Sequence, residues 1–123
     1  MNSELVKLIP VIPSADIARD TEWYEKHCGF RAYFTDPMYA VIYREGLVLH
    51  LQWHADTVDD PLLGGSVVRV QVKNIEPIFE EFVERGTVDR DAIRNATPWG
   101  TNEFAFFDLN SNLLFVFEGI EQA

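Results

Sequence analysis

The run Thr97-Pro98-Trp99-Gly100-Thr101-Asn102-Glu103-Phe104-Ala105-Phe106-Phe107-Asp108 continues through Leu109-Asn110-Ser111-Asn112 into Leu113-Leu114-Phe115-Val116-Phe117-Glu118, and its reading decides the fold. Pro98 and Gly100 set a loop with Trp99 between them. Glu103 to Phe107 suits a pleated, half-buried surface. Asp108 to Asn112 is rich in residues that hydrogen-bond their own backbone in turns. Leu113 to Phe117 is a short apolar run bounded by that turn, as in a buried strand. The stretch therefore reads loop, strand, tight turn, strand. An indole on a loop beside a sheet either plugs the end of the sheet or forms a platform for a ligand.

Upstream, the same kinds of element occur twice. Leu5 to Ile12 is apolar and β-branched, with Pro10 inside it and Pro13-Ser14 closing it, so it reads as a strand. Proline lacks a donor and belongs at an edge, a bulge or a point where a strand leaves one sheet for another. Asp16 or Ser14 can cap a helix that carries Ile17, Thr21, Tyr24 and Cys28 at helical spacing and ends at Gly29. Strands follow over Phe30 to Thr35, Tyr39 to Arg44 and Leu47 to Trp53, with turns at Asp36-Pro37 and Glu45-Gly46. In the last of these, Leu47, Leu49, Leu51 and Trp53 face one way and Val48, His50 and Gln52 the other. Trp53 reads as core or interface.

Residues 55–65 are a linker by composition. Ser66 to Lys73 then reads as a strand and Asn74 to Arg85 as a helix, with Pro77 tolerated in its first turn. A strand is expected around Asp91 to Ala96, then Thr101 to Asp108 and Leu113 to Glu118. The halves align at a constant offset: Asp16 with Asn74, Ile17 with Ile75, Tyr24 with Phe82, Cys28 with Gly86. The fold class is α+β, with one domain of two βαβββ modules: module one 1–54, linker 55–65, module two 66–120. Neither unit is large enough to bury its sheet alone.

Composition narrows the function classes. A chain of 123 residues with 47% apolar content fits one globular domain. No apolar run is long enough to span a bilayer, and the start lacks a signal peptide's basic and apolar regions, so a cytoplasmic location is expected. Twenty acidic against ten basic residues give a formal charge of −10, which disfavours nucleic acid. The same charge either draws in a cationic ligand or serves solubility alone. Cys28 is the single cysteine, so no intrachain disulfide forms, and it reads as a small buried hydrophobe. No glycine-rich phosphate loop and no Ser–His–carboxylate set is visible, so no catalytic residue is assigned.

Pro98-Trp99-Gly100, Glu103-Phe104, Asp108 and Asn112 resemble the close of bleomycin-resistance proteins, of the vicinal oxygen chelate (glyoxalase-like) superfamily. The family turn Asp-Pro-x-Gly-Asn is altered here, with Leu109 for Pro and Ser111 for Gly. Ile9-Pro10-Val11, Asp16-Ile17, Trp23-Tyr24 and Gly29-Phe30 match near the start, so the resemblance covers nearly the whole chain. It implies the glyoxalase / bleomycin-resistance / dioxygenase fold, in a homodimer whose first strands are exchanged at Pro10. It also implies where metal ligands of the enzymatic branches would fall: near Ile9, His50, Val67 and Phe115. Only His50 can ligate, so neither a metal nor any other cofactor is expected.

Carried over residue by residue, the resemblance places ligand-stacking aromatics at Phe34, Tyr39 and Trp99, beside Gly100, with a polar position at Gln52. A cleft tryptophan of well-known members is replaced by Arg69, which opposes a cationic ligand. His50 could contact a ligand or be a satisfied histidine in a sheet. Each ring would supply about 1 kcal/mol by stacking, or else simply pack under a turn. The function implied is sequestration of a bleomycin-type antibiotic, and hence antibiotic resistance, without catalysis. Two alternatives stay open: a metal-free relative that binds another planar or hydrophobic molecule, and a degenerate lyase or isomerase with His50 as base.

Overall fold

The computed structural model describes residues 2–120. The elements run β1 (Val11–Ser14), α1 (Ile17–Cys28), β2 (Arg31–Asp36), β3 (Tyr39–Arg44), β4 (Leu47–Trp53), β5 (Val67–Gln71), α2 (Ile75–Glu84), β6 (Thr101–Phe107) and β7 (Leu113–Gly119). A single 3₁₀ turn, Arg90–Ala92, lies between α2 and β6. They form two mixed sheets, ordered β1-β4-β3-β2 and β5-β7-β6. In each, the strand before the helix lies parallel to the module's last strand: Val11 opposite His50 in the first, Val67 opposite Leu113 in the second.

Local chemistry fixes the helix ends. The Asp16 carboxylate accepts from the backbone N–H of Arg19 at 3.0 Å, which caps α1. Gly29, at φ 72°, ends it, with its own N–H on Glu25 O and that of Phe30 on Tyr24 O. The aligned Asn74 makes no side-chain cap on α2. There Glu118, at the end of β7, accepts from Ile75 N at 2.5 Å, so a neighbouring strand supplies the anion at the helix start.

Each helix covers one face of its sheet. Ile17, Tyr24 and Cys28 join Ala40, Ile42, Leu49 and Leu51 in the core. Phe79 and Phe82 of α2 pack on Phe104 and Phe106 of β6 with ring centroids 5.3–5.5 Å apart. Trp23 reaches Phe106 at 6.2 Å and joins the two halves in one core. Each aliphatic side chain buried in this way contributes about 1.5–3 kcal/mol.

Three expectations need correction. The first strand starts at Val11, not Leu5, and it includes Pro13-Ser14. β1 is an edge strand, so Pro13 needs no ladder partner for its missing donor. Pro10 O still accepts from His50 N, whereas Leu5, Val6 and Leu8 are exposed. The segment Asp91 to Ala96 is not a strand: it is the 3₁₀ turn plus one isolated bridge, Arg94 with Glu103. Ala96 at φ 52° turns the chain out of any ladder there. Finally, Leu49 and Leu51 are buried as expected, but Leu47 and Trp53 are exposed at the two ends of β4, so Trp53 is not core.

Candidate ligand-binding site

The faces turned away from the helices carry the residues of interest. On the first sheet, pairing sets Phe34, Val41, His50 and Val11 in one row and Asp36, Tyr39, Gln52 and Pro13 in the next. Paired residues share a face, so Phe34, Tyr39, His50 and Gln52 stand together, opposite the buried Ala40, Ile42, Leu49 and Leu51. Asp36 accepts from the backbone N–H groups of Met38 and Tyr39 at 2.7 and 2.9 Å and closes the tight turn that sets Tyr39 at the strand start. The Tyr39 hydroxyl and His50 Nδ1 share a 2.7 Å hydrogen bond, with the rings edge to face at 5.3 Å. Phe34 is 48% exposed, so its ring is available on this face.

On the second sheet the outward row is Gln71, Phe117, Glu103 and Arg94, with Arg69 and Phe115 in the adjacent row. Glu103 is only 1% exposed, although no helix covers it. Its cover is the Trp99 loop. Thr101 Oγ1 and Trp99 Nε1 each donate to Glu103 Oε1 at 2.6 Å, and Arg69 reaches the same oxygen at 3.5 Å. Oε2 has no partner. Burial raises the Glu103 carboxyl pKa, but the donors on Thr101, Trp99 and Arg69 outweigh it, so the group is held below its ordinary value and stays ionised.

The loop is fixed by its threonines. Gly100 N–H donates to Thr97 O at 3.0 Å, and the positive φ of Gly100, 84°, lets the turn close. Thr97 Oγ1 accepts from Thr101 N at 3.0 Å and lies 2.7 Å from Thr101 Oγ1. Trp99 is thus tied at its ring nitrogen while the residue stays 55% exposed, with the Arg94 guanidinium 5.0 Å from the ring centre. The Arg69 guanidinium lies 4.4 Å from the Phe117 ring and 4.9 Å from the Phe115 ring.

The site residues expected from sequence therefore fall in two groups, Phe34, Tyr39, His50 and Gln52 on one sheet and Arg69, Trp99 and Gly100 on the other. Sequence reasoning did not pick out Arg94 or the pairing of Glu103 with Trp99. The Glu103-Phe104 match carried the only signal for the latter. Among the described residues, no three His, Cys, Asp or Glu side chains converge as metal ligands would.

A second polar cluster ties the halves together. The buried Asp20 accepts from Ser14 Oγ, Asn110 Nδ2 and Arg19 Nε at 2.5, 2.7 and 2.9 Å. Tyr24 Oη donates to Asp108 Oδ2 at 2.6 Å, and Asn112 Nδ2 donates to Pro13 O at 3.0 Å. The turn from Asp108 to Asn112 is thus a clasp between modules. Ser111 adopts φ 63°, a conformation that favours glycine.

The same architecture recurs in proteins of known structure. A bleomycin-binding protein solved with bleomycin superposes with a TM-score of 0.78 at 21% identity, over 94% of this chain and 99% of that one. This chain has the bleomycin-resistance and glyoxalase-like fold. The bleomycin-binding protein of Streptomyces verticillus, solved with copper(II)-bleomycin, gives 0.75 at 19% identity over 98% and 100% of the two chains. A glyoxalase/bleomycin resistance protein/dioxygenase from Nocardioides gives 0.76 at 17%, over 100% and 89%. In sequence, the bleomycin resistance proteins of Geobacillus stearothermophilus and Staphylococcus aureus are 21% identical to this chain, over 95% of it and 99% of theirs. No family model matches the chain.

Proposed function

We propose that this chain binds a planar small molecule on its open sheet faces and sequesters it unchanged, with a bleomycin-type glycopeptide antibiotic as the ligand. The observation that carries the reading is Trp99: an indole held at its nitrogen by a buried carboxylate, with its ring presented to solvent. A residue that only plugged the sheet would bury that ring. Phe34 offers a second free ring on the first sheet. The relatives' complexes with bleomycin support the ligand class.

The binding unit is a dimer. Residues 5–10 leave Leu5, Val6 and Leu8 exposed, and Lys7 to Pro10 form one wall of a groove of about 400 Å³ that also includes Leu47, Val48, Leu49, Val68 and Val70. β5 is an edge strand with an unpaired side. A second copy's arm laid there would bury both, which is the strand exchange that the family resemblance implies.

Calorimetric titration with metal-free and copper-loaded bleomycin tests this reading. Saturable binding near one ligand per chain, with the drug recovered unaltered, is expected. No heat at high micromolar drug, or a chemically altered drug, would overturn it.

A further inference from the structure

The geometry points to Arg69 and Arg94 as sites for an oxyanion, so that this face also takes planar molecules that carry a carboxylate or similar group. This rests on the reading of the second sheet's open face as part of the ligand site, and it adds a ligand class beyond the glycopeptide, which carries no such group.

Three observations support the assignment. Each guanidinium is already placed by an aromatic partner, Arg69 by Phe115 and Phe117 and Arg94 by Trp99. Among the described residues, their donors are mostly unspent. Of the five N–H donors a guanidinium carries, Arg69 engages one nitrogen at a long 3.5 Å, and its side chain is 39% exposed. Arg94 is exposed, and its backbone, not its side chain, holds the bridge to Glu103. The local charge also runs against the molecule's own. The chain is strongly acidic, yet this face sets two guanidiniums against one carboxylate, and that carboxylate already accepts from Thr101 and Trp99.

A planar fork stacked on a ring, with free edges toward solvent, is the arrangement that recognises carboxylate, sulfate or phosphate in two parallel hydrogen bonds. Glu103 then acts as a tether. It holds Arg69 by one nitrogen without saturating it. Trp99 would stack on the ligand's ring while its neighbours take the anionic group.

Matched naphthalene probes test this: 2-naphthoate, 2-naphthamide and 2-naphthylmethylammonium, titrated into the full chain by calorimetry beside bleomycin. The carboxylate should bind more tightly than the amide by roughly tenfold or more, the scale of a charge-assisted hydrogen bond. That preference should shrink as salt rises. Arg69→Gln should bring carboxylate and amide to equal affinity, and Arg94→Gln should narrow the gap. The salt series on the unaltered chain decides the matter if a variant fails to fold. Equal binding of carboxylate and amide, or preference for the ammonium, overturns the assignment. Bleomycin uptake without carboxylate preference refutes the oxyanion site alone. Carboxylate preference without bleomycin uptake upholds the oxyanion site and refutes the glycopeptide ligand. No binding of bleomycin or any probe refutes both.

Discussion

Replacing Tyr24 by Phe removes one oxygen from the centre of the fold and tests the clasp between modules. Tyr24 is fully buried, and its hydroxyl donates to Asp108 Oδ2 at 2.6 Å. Burial, then the nearby Asp108 charge, pushes the phenol pKa far above its usual range, so it remains a donor at neutral pH. Asp108 keeps three other donors: Asn110 N at 2.8 Å, Asn112 N at 3.0 Å and Asn112 Nδ2 at 2.8 Å. The ring stays, so no cavity larger than the hydroxyl opens. A hydrogen bond to a charged acceptor is worth about 1.5–3 kcal/mol, and because Oδ2 keeps one donor, the low half applies: about 2 kcal/mol. Urea denaturation should show an unchanged slope and a midpoint lower by roughly 1 M. Combining Tyr24→Phe with Asp108→Asn should give a coupling of about 1 kcal/mol or more. A loss below about 0.5 kcal/mol, or no coupling, would refute the claim that this pair joins the two modules.

Other consequences follow from the same contacts. Glu81 accepts from Arg44 at 2.7 Å on each oxygen and from Arg85 Nε at 2.8 Å. Arg44's hydrogen bonds foremost hold its carboxyl below the ordinary 4.5, with Arg85 assisting against burial. The stabilisation is therefore present above that ordinary value and lost as pH falls through the lower folded one. Glu81→Gln should cost about 1 kcal/mol or less at neutral pH, because the pair is partly solvated, and almost nothing in strong acid, as read by urea midpoints across pH. Gly29→Ala should destabilise by about 1–2 kcal/mol, since φ is 72° and the new Cβ would lie 2.8 Å from Arg44 Nη1; thermal melting reads this. Cys28 should resist aromatic disulfide reagents until the chain is unfolded, because burial pushes its thiol pKa up; fast labelling of native protein would contradict this.

Much of the architecture is legible because hydrophobic period and turn chemistry agree. α1 shows both, with an Asp16 cap, Ile17, Tyr24 and Cys28 on one side, and Gly29 at the end. The segment Asp91 to Ala96 carries no alternation strong enough to mark it, and a backbone turned at Ala96 keeps only the Arg94 bridge. Asp20 is an acid in an amphipathic helix, yet it is buried because Ser14, Arg19 and the distant Asn110 converge on it. No local pattern encodes that convergence.

The candidate site divides in the same way. Strand alternation places His50 and Gln52 on one face, and pairing across β3 adds Tyr39. The Trp99–Glu103–Thr101 arrangement depends on a loop folding back over its own strand, which spacing does not predict. Arg69 was recognised as a departure from the family, but its seat on Phe115 and Phe117 came only from the register of β5 against β7.

The central claim is that Trp99 is a ligand platform in a protein that holds its ligand unchanged. The most direct test compares bleomycin titrations of the unaltered chain and Trp99→Ala, with urea midpoints measured on both. The account predicts affinity weakened by about tenfold in the variant, a similar midpoint, and drug recovered intact from both samples. Equal affinity in the two proteins would remove Trp99 from the site and contradict the account.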